Sequence, residues 1–429
     1  MNKTKWNWRP LGELFEIGAG KTMSATARCG TNKTPFLRTS NVLWDEIDMT
    51  EVDEMSMSAE EIAEKGLLPG DLLVCEGGEI GRAAIWNGDV QTMSFQNHLH
   101  RLRPLRSDVE PSFYVYFLQC AFTQLGIFEG TGNETTIPNL SRNRLSALNV
   151  PHPPYPEQQA ISRGLALIRS AIKTQGIASA RAQELKRAAM RELFTRGLRG
   201  EPQKETESGP IPDRWDIVPL DGVAVVQTGV AKGRRLGTAD MIEVPYLRVA
   251  NVQDGHLDLD EIKTIHIRCS EIDRYLLKDG DVVLTEGGDF DKLGRGFIWR
   301  SEVNQCVHQN HVFAVRVNRG RLVPEFLAYL AQSNYGKAYF LKVAHKTTNL
   351  ACINTTKLKA FPVLVPGLDE QREIVAILEA IDRKIELHKQ KRAVLEALFK
   401  ALLHKLMTGE IRVADLDLSA LETSAKETV

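Results

Sequence analysis

The sequence lacks paired cysteines and long apolar runs. Its six cysteines are scattered along 429 residues with no Cys-x-x-Cys pair, so it predicts neither a disulfide framework nor a zinc or other metal site. No apolar run approaches the roughly 20 residues that span a bilayer, and the first residues lead into no hydrophobic signal core. We therefore expect a cytoplasmic protein that makes no contact with a membrane.

An excess of charge of one sign is also missing. The chain has 54 basic and 55 acidic side chains, and its net charge of −1 argues against a protein that coats nucleic acid unaided. One segment departs from this balance, because residues 157–200 contain nine basic and three acidic side chains. A basic segment of this kind is either a solvated helix face or a surface for phosphates or for an acidic partner.

A module is repeated within the chain, which is too long for a single hydrophobic core. Residues 35–42 match residues 245–252 at an offset of 210 positions. After a three-residue insertion the offset becomes 213, and Gln-Asn-His at 96–98 matches the same tripeptide at 309–311. The sequence therefore predicts two homologous domains.

Each module has the pattern of a mixed α and β domain. A Gly-Asp pair at 70–71 and at 280–281 precedes an apolar run, which is typical of a turn that leads into a strand. Residues 111–125 and 324–341 each begin with proline and predict one helix in each module. A polar loop follows each of these helices.

Each module is followed by a long amphipathic run, at 157–200 and at 370–410. Apolar residues in both runs alternate at spacings of three and four, which is the seam of a coiled coil. Lys186 interrupts the first seam at the counterpart of Phe399. The seam residues that we predict are Ile161, Leu165, Ile168, Ile172, Ile374, Leu378, Ile381, Ile385, Leu395, Phe399, Leu402 and Leu406.

The predicted fold class is α+β (mixed α/β). It contains two homologous globular domains, each followed by a long helix of about 60 Å, and the two helices pair as an antiparallel coiled coil. The predicted division is a first domain at 1–156, a central helix at 157–200, a linker at 201–212, a second domain at 213–369, a distal helix at 370–410 and a loose tail at 411–429.

A tandem repeat in which each module precedes a helix that opens with Pro-Pro-x-x-Glu-Gln resembles the specificity subunit of Type I restriction–modification enzymes. The resemblance covers nearly the whole chain and depends on the duplicated order. Its motif residues are Pro153, Pro154, Glu157 and Gln158 in the first half, and Glu370 and Gln371 in the second. The second half departs from the pattern, because Gly367 and Leu368 replace the paired prolines.

The resemblance implies a non-catalytic subunit that recognises DNA sequence. Each module would be a target recognition domain for one half of a bipartite site in double-stranded DNA. The helices would space the domains and bind two methyltransferase subunits, with restriction/translocase subunits joining outside. It implies no cofactor in this chain, since adenosylmethionine (AdoMet), ATP and Mg²⁺ would be bound by the partners.

Two alternatives remain. Residues 15–20 and 152–155 imitate the cofactor and Pro-Pro-Tyr loops of an adenine methyltransferase, which would make the chain a free-standing enzyme; the duplicate module lacks both motifs. A coiled-coil adaptor that ignores DNA sequence is the second alternative. Asp71 with Glu76 could be imagined as nuclease carboxylates, but a Gly-Asp pair before a strand is an ordinary turn, and we predict a structural role.

Polar residues in the loops are the candidates for DNA contact. Asparagine can read adenine and arginine can read guanine in the major groove, although most such contacts go to phosphates. The amides of the repeated Gln-Asn-His could equally hold the fold together. The candidates are Lys21, Thr22, Arg38, Thr39, Ser40, Asn97, Asn133, Thr135, Thr136, Lys232, Arg234, Arg235, Arg248, Asn310, Lys346, Thr347 and Asn349.

Overall fold

The structure is a computed structural model of the chain and describes residues 6–127, 139–206, 209–233, 240–288, 293–346 and 351–417. The chain divides into two compact units. The first contains the residues up to Gly176 and those from Lys389 onward, and the second runs from Ile177 to His388. None of the described helices is long and apolar enough to cross a membrane.

The first unit contains eleven strands among the described residues. They are β1 (Asn7–Pro10), β2 (Phe15–Ala19), β3 (Lys33–Leu37), β4 (Val42–Leu43), β5 (Glu46–Ile47), β6 (Asp53–Ser56), β7 (Leu72–Cys75), β8 (Ala83–Ile85), β9 (Ser94–Phe95), β10 (Leu99–Pro104) and β11 (Asn149–His152). Its shorter helices are α1 (Leu11–Leu14), α2 (Ala25–Cys29), α3 (Ala59–Lys65), α4 (Pro111–Thr123) and α5 (Arg142–Ala147). The first long helix, α6 (Tyr155–Arg196), begins in this unit.

The second unit contains counterparts of most of these elements and several additional strands. Its strands are β12 (Gln203–Thr206), β13 (Gly209–Pro212), β14 (Asp216–Pro219), β15 (Ala224–Thr228), β16 (Met241–Leu247), β17 (Val252–Gln253), β18 (His256–Leu257), β19 (Lys263–Arg268), β20 (Val282–Thr285), β21 (Gly287–Gly288), β22 (Gly296–Ile298), β23 (Val307–His308), β24 (Val312–Val317), β25 (His345–Lys346), β26 (Ala351–Cys352) and β27 (Pro362–Val365). Its helices are α7 (Ile272–Tyr275), α8 (Pro324–Gln332), α9 (Asn334–Val343) and α10 (Thr355–Lys359), and α11 (Leu368–Met407) begins here.

The sheets of the two units have the same topology. The central antiparallel sheet has the order β2-β10-β7-β8 in the first unit and β15-β24-β20-β22 in the second. A smaller mixed sheet has the order β6-β3-β9 in one and β19-β16-β23 in the other. Strands β7 and β20, which follow the Gly-Asp turns, are buried along their whole length. The duplicated domain predicted from the repeat is therefore present in both units.

One predicted helix is wrong in the second unit. Residues 324–341 form two helices, α8 and α9, which Ser333 separates. The Ser333 hydroxyl accepts a hydrogen bond from the Gly336 amide at 3.3 Å and so caps a new helix. In the first unit Cys120 stands at the equivalent position, and α4 continues to Thr123.

The long helices begin and end close to the predicted positions. Both end before a glycine with a left-handed backbone, Gly197 (φ 63°) after α6 and Gly409 (φ 69°) after α11. Each start is fixed by a fully buried glutamine. The Gln158 side chain accepts from the Glu110 amide at 2.9 Å and donates to the carbonyl of Pro153 at 2.8 Å, and Gln371 repeats this arrangement.

The predicted seam residues lie in the hydrophobic cores of the units. In the first unit, residues from the start of α6 and from the end of α11 share one cluster: Ile161, Leu165, Ile168, Phe399, Leu402 and Leu406, with Ile172 and Leu395 packed against it. In the second, Leu193 of α6 shares a cluster with Ile374 and Leu378 of α11, Ile385 is buried and Ile381 is half-buried. Contact between the two helices is therefore present in each unit, while coiled-coil geometry stays a prediction.

The segments that composition predicts to be a linker and a loose tail make ordered contacts. Residues 203–212 contain an antiparallel hairpin, β12 with β13, and Ile211 is fully buried. After α11, residues Ile411, Val413 and Leu416 pack against the core of the first unit. Both segments contain single apolar residues that pack into or against a hydrophobic core. The polar composition of the segments does not reveal this packing.

Candidate nucleic-acid interface

Four loops meet at one edge of each domain, which we call the loop edge. In the first domain it consists of residues 18–24, 38–41, 76–80 and 96–98. Backbone hydrogen bonds connect them: the Asn97 amide donates to the Lys21 carbonyl at 3.1 Å, and the Gln96 amide donates to the Leu37 carbonyl at 2.9 Å. The Glu76 amide donates to the His98 carbonyl at 2.9 Å. The Gln-Asn-His turn is thus the centre of the loop edge.

The second domain builds its loop edge with the same bonds, from residues 229–233, 248–251, 286–288 and 309–311. The Asn310 amide donates to the Val230 carbonyl, the Gln309 amide to the Leu247 carbonyl and the Glu286 amide to the His311 carbonyl, each at 2.9 Å. The repeated tripeptide therefore has a structural function in its backbone. Its side chains remain half-exposed or exposed in both domains.

Glycine is required where the first loop passes behind this turn. A Cβ atom on Gly20 would lie 2.3 Å from the Phe95 carbonyl oxygen, and one on Gly229 would lie 2.0 Å from the His308 carbonyl oxygen. Any larger residue would separate the loops. The glycine loop that resembles a cofactor site in the sequence thus serves as a close backbone contact in both domains.

A second repeated feature holds the turn after β3 and after β16. The Asn41 side chain accepts from the Arg38 amide at 2.9 Å and donates to the carbonyls of Asp48 and Glu51. Asn251 does the same with Arg248, Asp258 and Glu261. Sequence reasoning missed this function, although the two asparagines match at the offset of 210.

Three candidate cations are engaged inside the domains. The Lys21 ammonium contacts Glu61 at 2.5 Å and the Ser56 carbonyl at 2.8 Å. Arg38 forms an ion pair with Asp53 at 3.0 Å. Arg248 forms one with Glu261 at 2.9 Å, which lowers the pKa of that carboxyl group. In each case the carboxylate occupies part of the side chain's N–H donors and offsets its charge, which weakens its attraction for phosphates.

Other candidates lie at the surface of the loop edge. Thr22, Ser40, Lys232 and Lys346 are exposed, while Thr39, Asn97 and Asn310 are half-exposed. Seven candidates fall outside the described residues: Asn133, Thr135, Thr136, Arg234, Arg235, Thr347 and Asn349.

Described residues next to the late polar loops bind this edge. The Leu140 amide donates to the Glu76 carbonyl at 3.0 Å, and the Ile353 amide donates to the Glu286 carbonyl at 2.8 Å. In the second domain, Lys346 on β25 pairs with Ala351 on β26, and β26 pairs with β21 at Gly287 and Gly288. Lys346 is therefore part of the same loop cluster.

The motifs that imitate enzymes have structural partners. The Asp71 carboxylate is buried and binds Arg103 in a bidentate pair at 2.8 and 2.7 Å, and Asp281 binds Arg316 in the same way. The structural role predicted for the Gly-Asp turn is confirmed. The ring of His152 contacts the Tyr114 hydroxyl at 2.8 Å and Asp108 at 3.3 Å.

Part of the basic character of α6 is neutralised within the units. Lys173 pairs with Glu46 at 2.7 Å, Arg196 with Glu192 at 3.5 Å and Lys186 with Asp382 at 2.7 Å. The remaining arginines of the helix are exposed, namely Arg163, Arg181, Arg187 and Arg191, as is Arg199 just after it, whereas Arg169 is half-buried against Asp45. The helix therefore offers less positive surface than its composition indicates.

These features define a class of protein: two copies of one α+β domain, each with a rigid loop edge that displays amides and cations, on two long helices. A family model described as the Type I restriction modification DNA specificity domain matches residues 3–181 and again residues 212–397. The chain therefore belongs to this family.

The sequence relatives agree with this assignment. The chain is 27% identical over 207 residues to the type I restriction enzyme MjaX specificity subunit of Methanocaldococcus jannaschii, and this match spans about half of either protein (48% of each). It is 22% identical over 388 residues to the StySPI specificity subunit of Salmonella potsdam, which covers 88% of this chain and 82% of that protein.

A solved structure shares the fold. A chain from a structure of a type I R-M system, described for its assembly and conformational transition, superposes with a TM-score of 0.56 at 18% identity and covers 95% of this chain and 98% of that one. The predicted mixed α/β fold with two homologous domains is confirmed. The comparisons support the specificity-subunit interpretation and neither the methyltransferase nor the adaptor alternative.

Proposed function

We propose that each domain reads one half of a bipartite DNA site with its loop edge. The observation that carries this proposal is the identical backbone network of the two edges, which holds some side chains that are the same in both domains and others that differ. A fixed backbone limits the entropy that a side chain loses on binding a base, and the side chains that differ, such as Ser40 and its counterpart Ala250, allow separate sequences. The half-exposed Asn97 and Asn310 are the same in both domains, so in this proposal they contact a base that the two half-sites share.

The partners and cofactors also belong to the proposal. Two methyltransferase subunits would bind the long helices, and restriction/translocase subunits would join them. AdoMet, ATP and Mg²⁺ would be bound by those partners, with this chain supplying no catalytic group. A cytoplasmic location stays a prediction from the sequence.

The test replaces one asparagine at a time. We expect Asn97→Ala to relax one half of the methylated sequence and Asn310→Ala to relax the other, because a bidentate amide contact is worth about 1–3 kcal/mol per base. The full-length variants would be co-expressed with a cognate methyltransferase subunit, and methylated sites would be mapped across a genome.

Lys359→Ala is the matched control, since Lys359 is exposed on α10 and outside the loop edge. It should leave both halves unchanged. The proposal fails if no bipartite motif appears, or if each asparagine variant alters both halves equally.

A further inference from the structure

Each unit contains a buried tyrosine between its domain and its long helices. Tyr116 on α4 and Tyr329 on α8 are equivalent at the offset of 213, and they are 1% and 2% exposed. Burial raises the pKa of both hydroxyls well above the usual range. Each hydroxyl therefore stays a donor and requires an acceptor.

We call the arrangement in the first unit the first latch: Tyr116, Asp45, Arg169 and Phe399. The Tyr116 hydroxyl donates to Asp45 at 2.6 Å, and the Arg169 guanidinium lies 3.3 Å from the same carboxylate. The guanidinium also lies 5.0 Å from the centre of the Phe399 ring and donates to Gln119 at 2.8 Å. Here α6 supplies the cation and α11 supplies an aromatic ring.

The second latch consists of Tyr329, Asp382 and Lys186 in the second unit. The Tyr329 hydroxyl donates to Asp382 at 2.8 Å, and the Lys186 ammonium donates to the same carboxylate at 2.8 Å. The ammonium also lies 5.1 Å from the centre of the Tyr329 ring. Here α6 again supplies the cation, but α11 supplies the carboxylate.

The two latches occupy equivalent positions with different charges. Arg169 and Asp382 are equivalent at the offset of 213, and so are Lys186 and Phe399. Gly255 is the counterpart of Asp45 at the offset of 210. The carboxylate therefore comes from a domain loop in the first latch and from helix α11 in the second. This difference explains why Lys186 interrupts the seam.

If α6 paired with a second α6, or α11 with a second α11, the charges at both latch positions would be unbalanced. In the register of the latches, two α6 helices would place Arg169 opposite Lys186 twice, around a buried tyrosine. Two α11 helices would place Asp382 opposite Phe399 twice, with no cation to balance the carboxylate. Two cations beside the single carboxylate of Asp45, and a carboxylate with no cation, are both costly at half-buried positions, and such contacts give specificity by penalising the wrong partner.

We propose that the two latches are a pairing code that directs α6 to the α11 of its own chain and rejects the α6 of a second copy. The code follows from the four helix residues Arg169, Lys186, Asp382 and Phe399 alone. It does not depend on the proposed reading of DNA.

The test makes α6 complementary to itself. Lys186→Phe gives α6 both helix residues of the first latch, so that two α6 helices can form two such latches, while Asp382 loses its cation. Full-length chains with two different affinity tags would be co-expressed and captured through one tag. We expect the variant to carry at least about tenfold more of the second tag than the wild type does.

Arg187→Phe is the matched control, because Arg187 is exposed on the same helix one residue beyond the latch. It should stay at the wild-type level. The triple variant Lys186→Phe, Asp382→Arg, Gly255→Asp rebuilds the first latch in the second unit, and we expect it to recover the melting temperature and to capture fewer second copies than Lys186→Phe alone.

The pairing code is wrong if folded Lys186→Phe, checked by circular dichroism, captures no more second copy than the wild type. It is also wrong if Arg187→Phe gives the same increase, since the added ring alone would then explain the association. If Lys186→Phe is insoluble, Lys186→Gln decides the matter. It removes the repelling charge, and with it the cation that pairs with Asp382, without adding a ring, and should give a smaller increase in the same direction.

Discussion

His308 is a titratable side chain at the position where the first domain has the apolar Phe95, and both side chains are fully buried. The Nδ1 atom of His308 lies 2.6 Å from the Val312 carbonyl oxygen and donates to it. The Nε2 atom is buried, and no partner for it lies among the described residues. Burial lowers the pKa of this imidazole, because a second N–H on a cation would have no acceptor.

This burial predicts a pH-dependent stability. Below the unfolded-state pKa near 6.5, the unfolded chain binds a proton that the folded chain refuses, so the free energy of unfolding falls as the pH falls. The loss is at most about 1.4 kcal/mol per pH unit and ends below the folded-state pKa. Thermal unfolding of the full chain between pH 7.5 and 5.5 should therefore show a smaller decrease for His308→Phe than for the wild type.

His256→Phe is the control for that measurement, since His256 is exposed on β18. It should keep the wild-type dependence on pH. Equal slopes for His308→Phe and the wild type would show that His308 binds its proton in the folded state as easily as in the unfolded one.

Residue functions were predictable from the sequence only in part. The repeated Gln-Asn-His and Glu-Gln motifs are visible in the two halves, but their reason lies in backbone bonds between distant segments. Gln158, for example, binds the amide of Glu110, which is 48 positions away. Periodicity and composition contain no information on such pairs. The sequence therefore did not reveal that the backbone of the Gln-Asn-His turn holds the loops together while its side chains stay exposed.

At the scale of the element, the long helices were the best predicted feature. Their apolar spacing is strong, and they end a few residues before the predicted positions of 200 and 410, where the glycines at 197 and 409 follow. The break at Ser333 was not predicted, because a single capping serine inside an apolar run resembles a helix interior. The partner of Lys186 was not predicted either, since spacing along one helix does not determine the register against another.

Each long helix has an exposed leucine at an equivalent position. Leu185 on α6 is 54% exposed, and its counterpart Leu398 on α11 is 40% exposed. If the chain binds the two methyltransferase subunits proposed above, equivalent exposed residues on the two units are where identical subunits would make equivalent contacts.

We predict that Leu185→Glu and Leu398→Glu each remove one methyltransferase subunit from the assembled complex, because a carboxylate in an apolar contact lacks a partner. Native mass spectrometry of the purified complex would give the number of bound subunits. Leu68→Glu, at an equally exposed leucine outside the helices, should keep both subunits. Full binding by both helix variants would exclude this face as the docking surface.

At the scale of the whole molecule, the duplication was predictable and the readers of individual bases were not. Fixed offsets of 210 and 213 predict two homologous domains without any structural information. The two halves differ most in their polar loops, and seven of the candidate residues in these loops lie outside the described residues. If these loops read bases as proposed, their side chains depend on the target sequence, and no general code connects the two.

If the helices set the distance between the half-sites, removing one heptad from each should shorten the preferred spacer. Residues 174–180 and 388–394 lie between the latch residues on the two helices. Their deletion therefore keeps all four helix residues of the latches and preserves the heptad repeat of the seam. A heptad is about 10 Å of helix, which corresponds to about three base pairs of duplex.

Methylation mapping with the deleted chain should therefore return the same two half-sites with about three base pairs fewer between them. Gln175→Ala with Ser179→Ala is the control, because it changes polar side chains within the deleted stretch of α6 without changing the length of the helix. An altered spacer in that control would assign the effect to the polar side chains. An unchanged spacer after the deletion would mean that DNA bending or the partner subunits, and not the helices of this chain, set the distance.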